Sequence, residues 1–182
     1  MAYNVLVVDD SLAMRAVIKK TILASGIAVK DFFEAANGEE ALDILRLTEE
    51  AGLVHSPGNF RDGHNYICNC CTCCCGVLRS VAEFSVPTAI ASSGFVAVVD
   101  VELCAGCGDC VARCQFGALA VPDDLCLVDA GCCVGCGLCV TTCPTEALRL
   151  VRRPKEEIPQ PPADLEDWMA QRAQSRGLPE IP

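Results

Sequence analysis

The second half of the chain is dominated by a duplicated cysteine pattern. The segments VVDVELCAGCGDCVARCQFGAL, which begins at Val98, and LVDAGCCVGCGLCVTTCPTEAL, which begins at Leu127, align at an offset of 29 residues, so that Asp100 matches Asp129. Each copy has four cysteines with the spacing C-x2-C-x2-C-x3-C, and the matching pairs are Cys104 with Cys133, Cys107 with Cys136, Cys110 with Cys139, and Cys114 with Cys143. Duplication at so short a period predicts one supersecondary unit per copy. We expect each unit to be a short strand, a cysteine loop, a short helix and a second strand.

The number of cysteines indicates a metal protein or a disulfide scaffold. The chain holds 16 cysteines among 182 residues, a density that is typical of both classes. Its first residues show no basic segment followed by an apolar one, so we expect no signal peptide. No run approaches the ~18 apolar residues of a membrane span. We therefore expect a cytoplasmic protein, where thiols stay reduced and bind clusters or metals, with a zinc site or a disulfide framework as the alternative.

Residues 95–151 resemble the bacterial-type ferredoxin domain, because both repeats have the ligand run of its two [4Fe-4S] clusters. In that family the fourth cysteine of each run binds the other cluster, and we expect it at the start of a helix. The family usually has a proline after this cysteine; Pro144 fits, whereas Gln115 departs and predicts a looser turn. The resemblance implies that cluster I is held by Cys104, Cys107, Cys110 and Cys143, and cluster II by Cys133, Cys136, Cys139 and Cys114.

Two cysteines of this region fall outside the repeated pattern. They are Cys126 and Cys132, and the first repeat has Ala97 and Leu103 at the equivalent positions. We expect both to be small packed side chains. A spare ligand or a redox thiol is the alternative.

The front of the chain has a different pattern. An apolar strand over residues 3–8, a helix ended by Gly26, a second strand from Ala28 and a helix after Asn37 predict the start of a parallel α/β sheet. The stretches VLVVDDS-x-x-MR and EAANGEEAL resemble a response-regulator receiver domain, which implies a Mg²⁺ site at Asp9 and Asp10. The family's third strand with its phosphoacceptor aspartate is missing. The alternative is therefore that both carboxylates only cap a helix and face solvent.

Such a half sheet leaves an edge that must be covered. We expect it to pack against the ferredoxin part or to form a homodimer with a second copy of the chain. The segment SVPTAIAS, at 85–92, could supply an extended stretch for this purpose.

Between these regions lies CNCCTCCCG, with six cysteines between Cys68 and Cys75. The phrase GLVH…ICNCC-x-CCCG-x-LR is similar to a segment that precedes the ferredoxin domain in some cytoplasmic iron–sulfur proteins. On any regular backbone at most three or four of these thiols converge. Three roles remain open for these cysteines. They could form an extra Fe–S or zinc site, act as a redox dithiol, or simply be buried. The candidate ligands of the extra site are Cys70, Cys71, Cys73 and Cys74. His55 and His64 flank the segment, and we expect both to be merely polar.

The expected fold class is α+β. It comprises a partial βαβα receiver-like segment (1–46), a Cys-rich connecting segment (47–94), a two-cluster ferredoxin-like domain with a pseudo-twofold repeat (95–151) and a tail (152–182). The tail is rich in proline and acidic residues. We expect it to be disordered, apart from a short helix across Asp164 to Gln174.

These features favour an electron-transfer protein over an enzyme. The chain would pass single electrons through two [4Fe-4S] clusters to or from a partner oxidoreductase, as a carrier or a subunit. A formal charge of −10 makes nucleic acid an unsuitable partner and suits docking to a basic protein surface. Two alternatives remain: a redox or metal sensor using the receiver-like segment and the Cys68–Cys75 thiols, and an enzyme with a substrate-binding cluster.

Overall fold

The computed structural model describes residues 3–62, 66–86, 89–91, 93–158 and 160–177. The chain mixes helices and strands, and it divides into two compact units, Met1–Ala51 and Gly52–Pro182. None of the described helices has both the length and the apolar character needed to cross a membrane.

The first unit alternates strands and helices. Strands β1 and β2 are parallel neighbours, and the polar residues at the helix starts explain where each helix begins. Ser11 Oγ accepts the N–H of Met14, and Asn37 Oδ1 accepts the N–H of Glu40 at 3.0 Å, which satisfies N–H groups that a helix leaves unpaired. The bounds are β1 (Tyr3–Val8), α1 (Leu12–Ala24), β2 (Val29–Ala35) and α2 (Gly38–Glu50).

Few side chains of the first unit are buried. Among residues 3–51 the buried apolar residues are Val7 and Ala35, whereas Met14 and Leu42 are about half exposed. Helix α2 runs through residue 46, where we placed a domain boundary, and the compact unit ends at Ala51. The relation of this segment to receiver domains and its pairing with a second copy stay predictions.

Among its described residues, the second unit contains three antiparallel strand pairs. In each cysteine repeat a strand, a loop, a five-residue helix and a second strand follow one another, as predicted. The outer strands of the two repeats pair with each other, and so do the inner strands. The bounds are β3 (Val54–Pro57), β4 (Ile67–Cys70), α3 (Gly76–Ala82), β5 (Phe95–Val99), α4 (Asp109–Arg113), β6 (Leu119–Ala120), β7 (Leu127–Val128), α5 (Leu138–Thr142) and β8 (Leu148–Arg152).

Two apolar clusters stabilise this unit. The first lies inside the repeats and is built on buried residues from both of them. The second joins the Cys-rich segment to the repeats, because Val54 and Leu78 pack with Phe116 and Leu138. The Cys-rich segment is therefore packed onto the ferredoxin-like region and not extended beside it.

The expectation of a disordered tail is wrong for its described part. Arg153 donates two hydrogen bonds of 3.0 Å to backbone carbonyls of the second cysteine loop, and the N–H groups of Arg61 and Asp62 donate to the carbonyl of Ala163. The predicted helix is present as α6 (Leu165–Ser175), with Asp164 as its N-cap. These hydrogen bonds attach the tail to the rest of the second unit. The composition of the tail, from which we expected disorder, gives no information about such contacts with distant residues.

The segment 85–92 falls partly outside the described residues, since Pro87, Thr88 and Ser92 are not among them. Its described residues form no strand.

Candidate iron–sulfur and thiolate sites

One cavity brings together three cysteines of the first repeat and one of the second. It contains about 320 Å³ of empty space, part of which is open to solvent, and lies between the β5–α4 loop and the residues that follow α5. Buried Leu148 forms part of its wall. Its thiols are those of Cys104, Cys107, Cys110, Cys143 and, in addition, Cys126. We call this space cavity I.

A second cavity, cavity II, has the reciprocal composition. It contains about 360 Å³ of empty space, part of which is open to solvent, and it is lined by Leu119, Leu138 and Phe116 among others. Its thiols are those of Cys133, Cys136, Cys139 and Cys114. The grouping of thiols in both cavities is the one that the ferredoxin resemblance implies, while the ligand roles themselves stay a prediction.

The fourth cysteine of each run does not enter a helix, and that expectation is wrong. Cys114 and Cys143 are the C-caps of α4 and α5, so the helix precedes them. The reason is that a glycine with a left-handed backbone, Gly108 or Gly137, starts the helix two residues before the third cysteine. The five-residue helix then carries the chain from one cavity to the other.

The repeated aspartates shape the start of both cysteine loops. A side-chain oxygen of Asp100 accepts the N–H of Glu102, and that of Asp129 accepts the N–H of Gly131. The backbone carbonyls of the two aspartates accept the N–H groups of Cys104 and Cys133. An aspartate that bonds its own backbone two residues ahead fixes a turn, which explains why this residue type recurs at the offset of the repeat.

Gly106 and Gly135 permit the loops to pass close to neighbouring backbone. Both have positive φ, at 63° and 70°. A β-carbon at Gly106 would collide with the carbonyl oxygen of Asp124, and one at Gly135 with the carbonyl oxygen of Phe95. Glycine is required at these positions by space as well as by conformation.

Gln115, which stands where the ferredoxin pattern has proline, fixes the turn and does not loosen it. Its Oε1 accepts the N–H of Thr72 at 2.7 Å, and its Nε2 donates to the carbonyl of Gly52. The expectation of a loose turn is therefore wrong, because both ends of this amide are bound to the Cys-rich region. The residue after Cys114 thus connects cavity II to the segment CNCCTCCCG.

The cavity thiols suit soft metal ions electrostatically. All sixteen cysteines lie in the described part of the chain and are free thiols there. Burial raises the pKa of Cys139 to about 12 and also raises the pKa of Cys136. A buried thiolate therefore needs a compensating cation, and iron in a sulfide cluster or zinc is the kind of cation that thiolates select.

The two cysteines outside the repeated pattern differ in environment. Cys126 is buried in cavity I, with its Sγ 3.6 Å from that of Cys110 and its N–H donating to Cys104 Sγ at 3.4 Å. Its equivalent in the repeat, Ala97, lines cavity II. Cys132 is exposed, so the expectation of a packed side chain is confirmed for Cys126 and wrong for Cys132. Cys132 stays outside because it lies in the turn that Asp129 closes.

The Cys-rich segment folds into a strand, a turn and a helix start. Cys70 ends β4, and Cys75 is the N-cap of α3, with its sulfur accepting the N–H of Leu78 at 3.5 Å. Between them the sulfur atoms of Cys71, Cys73 and Cys74 all lie within 4.8 Å of one another. Cys70, which we predicted as a fourth member, is not in this group; burial raises its pKa to about 11.

Asp9 and Asp10 form no comparable group. Asp9 Oδ1 accepts the N–H of Ser11 at 2.8 Å, and Ser11 is the N-cap of α1. Among the residues that the structure describes, no third His, Cys, Asp or Glu ligand joins the pair. A role of Asp9 and Asp10 in binding Mg²⁺ stays a prediction. His55 belongs to no such group either, and His64 lies outside the described residues.

Comparison with known protein families identifies both repeats. A family model described as "4Fe-4S binding domain" matches residues 97–120 and again residues 127–149. These two matches contain all eight cysteines of the repeated runs and support a ferredoxin domain in this part of the chain. No curated protein sequence matches the chain.

The close approach at Gly106 can be tested by substitution. Gly106→Ala should lower the free energy of unfolding by ~1 kcal/mol for its positive φ and by a further ~1–3 kcal/mol for the collision with Asp124. Gly117→Ala is the matched control, because Gly117 also has positive φ but open space around its Cα. The loss of stability in each of the two variants is measured from its urea denaturation midpoint, provided that the m-values are equal. Equal losses would contradict the close approach.

Proposed function

We propose that the protein is an iron–sulfur electron carrier that passes single electrons through two [4Fe-4S] clusters to or from a partner oxidoreductase. The observation that carries this proposal is the pair of cavities, each with three thiols of one repeat and the fourth of the other. The family matches at residues 97–120 and 127–149 support it. We propose a carrier or subunit role without catalytic residues of its own, in the cytoplasm, where the thiols would stay reduced.

The cysteines of the repeats would supply all protein ligands. Cys104, Cys107, Cys110 and Cys143 would hold cluster I, and Cys133, Cys136, Cys139 and Cys114 would hold cluster II. When bound, each cluster accepts and returns one electron at a potential set by its surroundings. The tight loops and free thiols described above fit such a group.

The protein itself would tune and protect these sites. Leu119 and Leu148 are buried beside the cavities and would limit the access of water to them. The N–H of Cys126 points at the sulfur of Cys104, and hydrogen bonds to ligand sulfurs are a recognised means of adjusting a cluster's potential.

Cavity I contains a fifth thiol, and we propose Cys110 as the ligand in preference to its neighbour Cys126. Cys110 belongs to the repeated run and matches Cys139, whereas Cys126 matches Ala97, a residue that cannot bind metal. Cys126 would then pack beside the ligands and influence them only through hydrogen bonds.

We propose a basic protein surface as the docking partner, since the chain carries a formal charge of −10. A sensor that uses the first unit and the Cys68–Cys75 thiols is the alternative. It would require that the state of the clusters or thiols changes the properties of residues 1–51.

Metal analysis of the anaerobically purified protein tests the main proposal. We expect about eight iron and eight sulfide per chain, and EPR signals of reduced [4Fe-4S] clusters. Cys107→Ser and Cys136→Ser should each remove about half of the iron, whereas Cys132→Ser, at an exposed cysteine outside both cavities, should remove none. Zinc in place of iron in both cavities would refute the proposal.

The choice between Cys110 and Cys126 has its own test. Cys126→Ala, which gives cavity I the residue found in cavity II, should leave the iron content unchanged. Cys110→Ala should lose one cluster, and Cys139→Ala, the matching change in cavity II, should do the same. The assignment is wrong if Cys126→Ala loses iron while Cys110→Ala keeps it.

Docking through an acidic surface predicts that the rate of electron transfer depends on salt concentration. Electron transfer from the reduced protein to a basic one-electron acceptor protein should slow by roughly tenfold or more between about 0.01 M and 0.3 M ionic strength. A small uncharged acceptor is the control, and its rate should stay constant. Stopped-flow absorbance of the clusters measures both rates, and a salt-independent rate with the basic protein would contradict acidic docking.

A further inference from the structure

The turn inside CNCCTCCCG gathers three thiols that neither cluster uses. The sulfur atoms of Cys71, Cys73 and Cys74 lie within 4.8 Å of one another, and those of Cys73 and Cys74 are 3.6 Å apart. Cys73 and Cys74 are exposed, and Cys71 is half-buried. We call these three residues the thiol triad.

We infer that the thiol triad binds one thiophilic metal ion, Zn²⁺ in the first instance, as a third centre distinct from the two clusters. The inference goes beyond the proposed electron-transfer function, which needs none of these residues.

The distances between the sulfurs favour a single ion over a cluster. Ligands placed tetrahedrally at ~2.3 Å from one zinc have sulfurs ~3.8 Å apart, close to the 3.6 Å between Cys73 and Cys74. In a [4Fe-4S] cluster each cysteine binds a different iron, so the ligand sulfurs are farther apart. The two cavities provide an internal comparison, because no three of their thiols meet the 4.8 Å limit, whereas the triad does.

The backbone holds the triad together without a metal. The carbonyl of Cys71 accepts the N–H groups of Cys74 at 3.2 Å and Cys75 at 2.9 Å, which closes the turn. The N–H of Thr72, inside this turn, donates to Gln115. Because the carbonyl of Cys71 and the N–H of Thr72 are both hydrogen-bonded, the turn would lose little conformational entropy when it binds a metal.

The type and number of the ligands indicate which kind of ion the triad can bind. Three thiolates select zinc or another soft ion over magnesium or calcium. Cys70 and Cys75 stay out of the group because they belong to β4 and to the cap of α3. A four-coordinate ion therefore has one position left for water or an added ligand, the arrangement that zinc sites with three protein ligands adopt.

Zinc binding to the intact, cluster-loaded protein tests the inference. After removal of loosely bound metal, the wild type should bind about one Zn²⁺ in competition with a chelator of known affinity. Zinc K-edge X-ray absorption should show three sulfur neighbours and one lighter one. Cys73→Ser and Cys74→Ser should weaken binding by more than the ~100-fold that loss of an outer-shell partner costs.

Cys68→Ser and Cys132→Ser are the matched controls, since both cysteines are exposed and lie outside the triad. They should leave zinc affinity unchanged. Iron content, measured on the same samples, shows that each variant has folded and should stay at about eight per chain.

Three results would overturn the inference. The first is zinc binding that is equal in the wild type and in the Cys73→Ser/Cys74→Ser double variant. The second is a wild-type iron content of about twelve that falls by about four in the double variant, which would show a third [4Fe-4S] cluster. The third is a four-sulfur zinc spectrum that becomes three-sulfur in Cys70→Ser. In all three cases the electron-transfer proposal would stand, because about eight iron would remain in the double variant.

Discussion

The exchange of one cysteine between the two repeats is the constraint on which the second unit depends. Each cavity takes its fourth thiol from the other repeat, so neither repeat contains a complete set. The exchange requires that the outer strands pair with each other and that the five-residue helices end at the fourth cysteines. If metal fills the cavities, its binding energy contributes directly to folding, because the complete thiol sets do not exist in an unfolded chain.

The same unit also includes the Cys-rich segment, which contacts residues that line or adjoin cavity II. Phe116 and Leu138, which wall cavity II, belong to the apolar cluster that contains Val54 and Leu78. Gln115 adds hydrogen bonds to Thr72 and Gly52. The residues that follow Cys114 therefore support cavity II and the thiol triad together. A substitution at Gln115 would therefore affect both places, whereas Pro144, at the matching position beside cavity I, has no side-chain amide to form such hydrogen bonds.

Sequence reasoning located the repeats well because its two signals, the spacing of cysteines and the period of the duplication, are local. It placed β1, α1, β2 and α2 for a similar reason, since apolar periodicity, the helix stop at Gly26 and the helix start at Asn37 act within a few residues. It did not foresee contacts between distant segments. The amide of Gln115 and the guanidinium of Arg153 find their partners only after folding. Likewise, which of the six cysteines in CNCCTCCCG converge depends on where β4 ends and α3 begins.

The differences between the repeats imply that the two cavities are not equivalent. Cavity I holds Cys126 where cavity II has Ala97, so the polar surroundings of the thiols in the two cavities differ. Cavity II is lined by Phe116, which packs with Val54 and Leu78 of the Cys-rich segment, whereas no described residue of that segment lines cavity I. Because hydrogen bonds to sulfur and exposure to solvent set the potential of a cluster, two chemically identical clusters would have different potentials here. In the proposed electron carrier, such a difference would make an electron reside preferentially at the cluster with the higher potential.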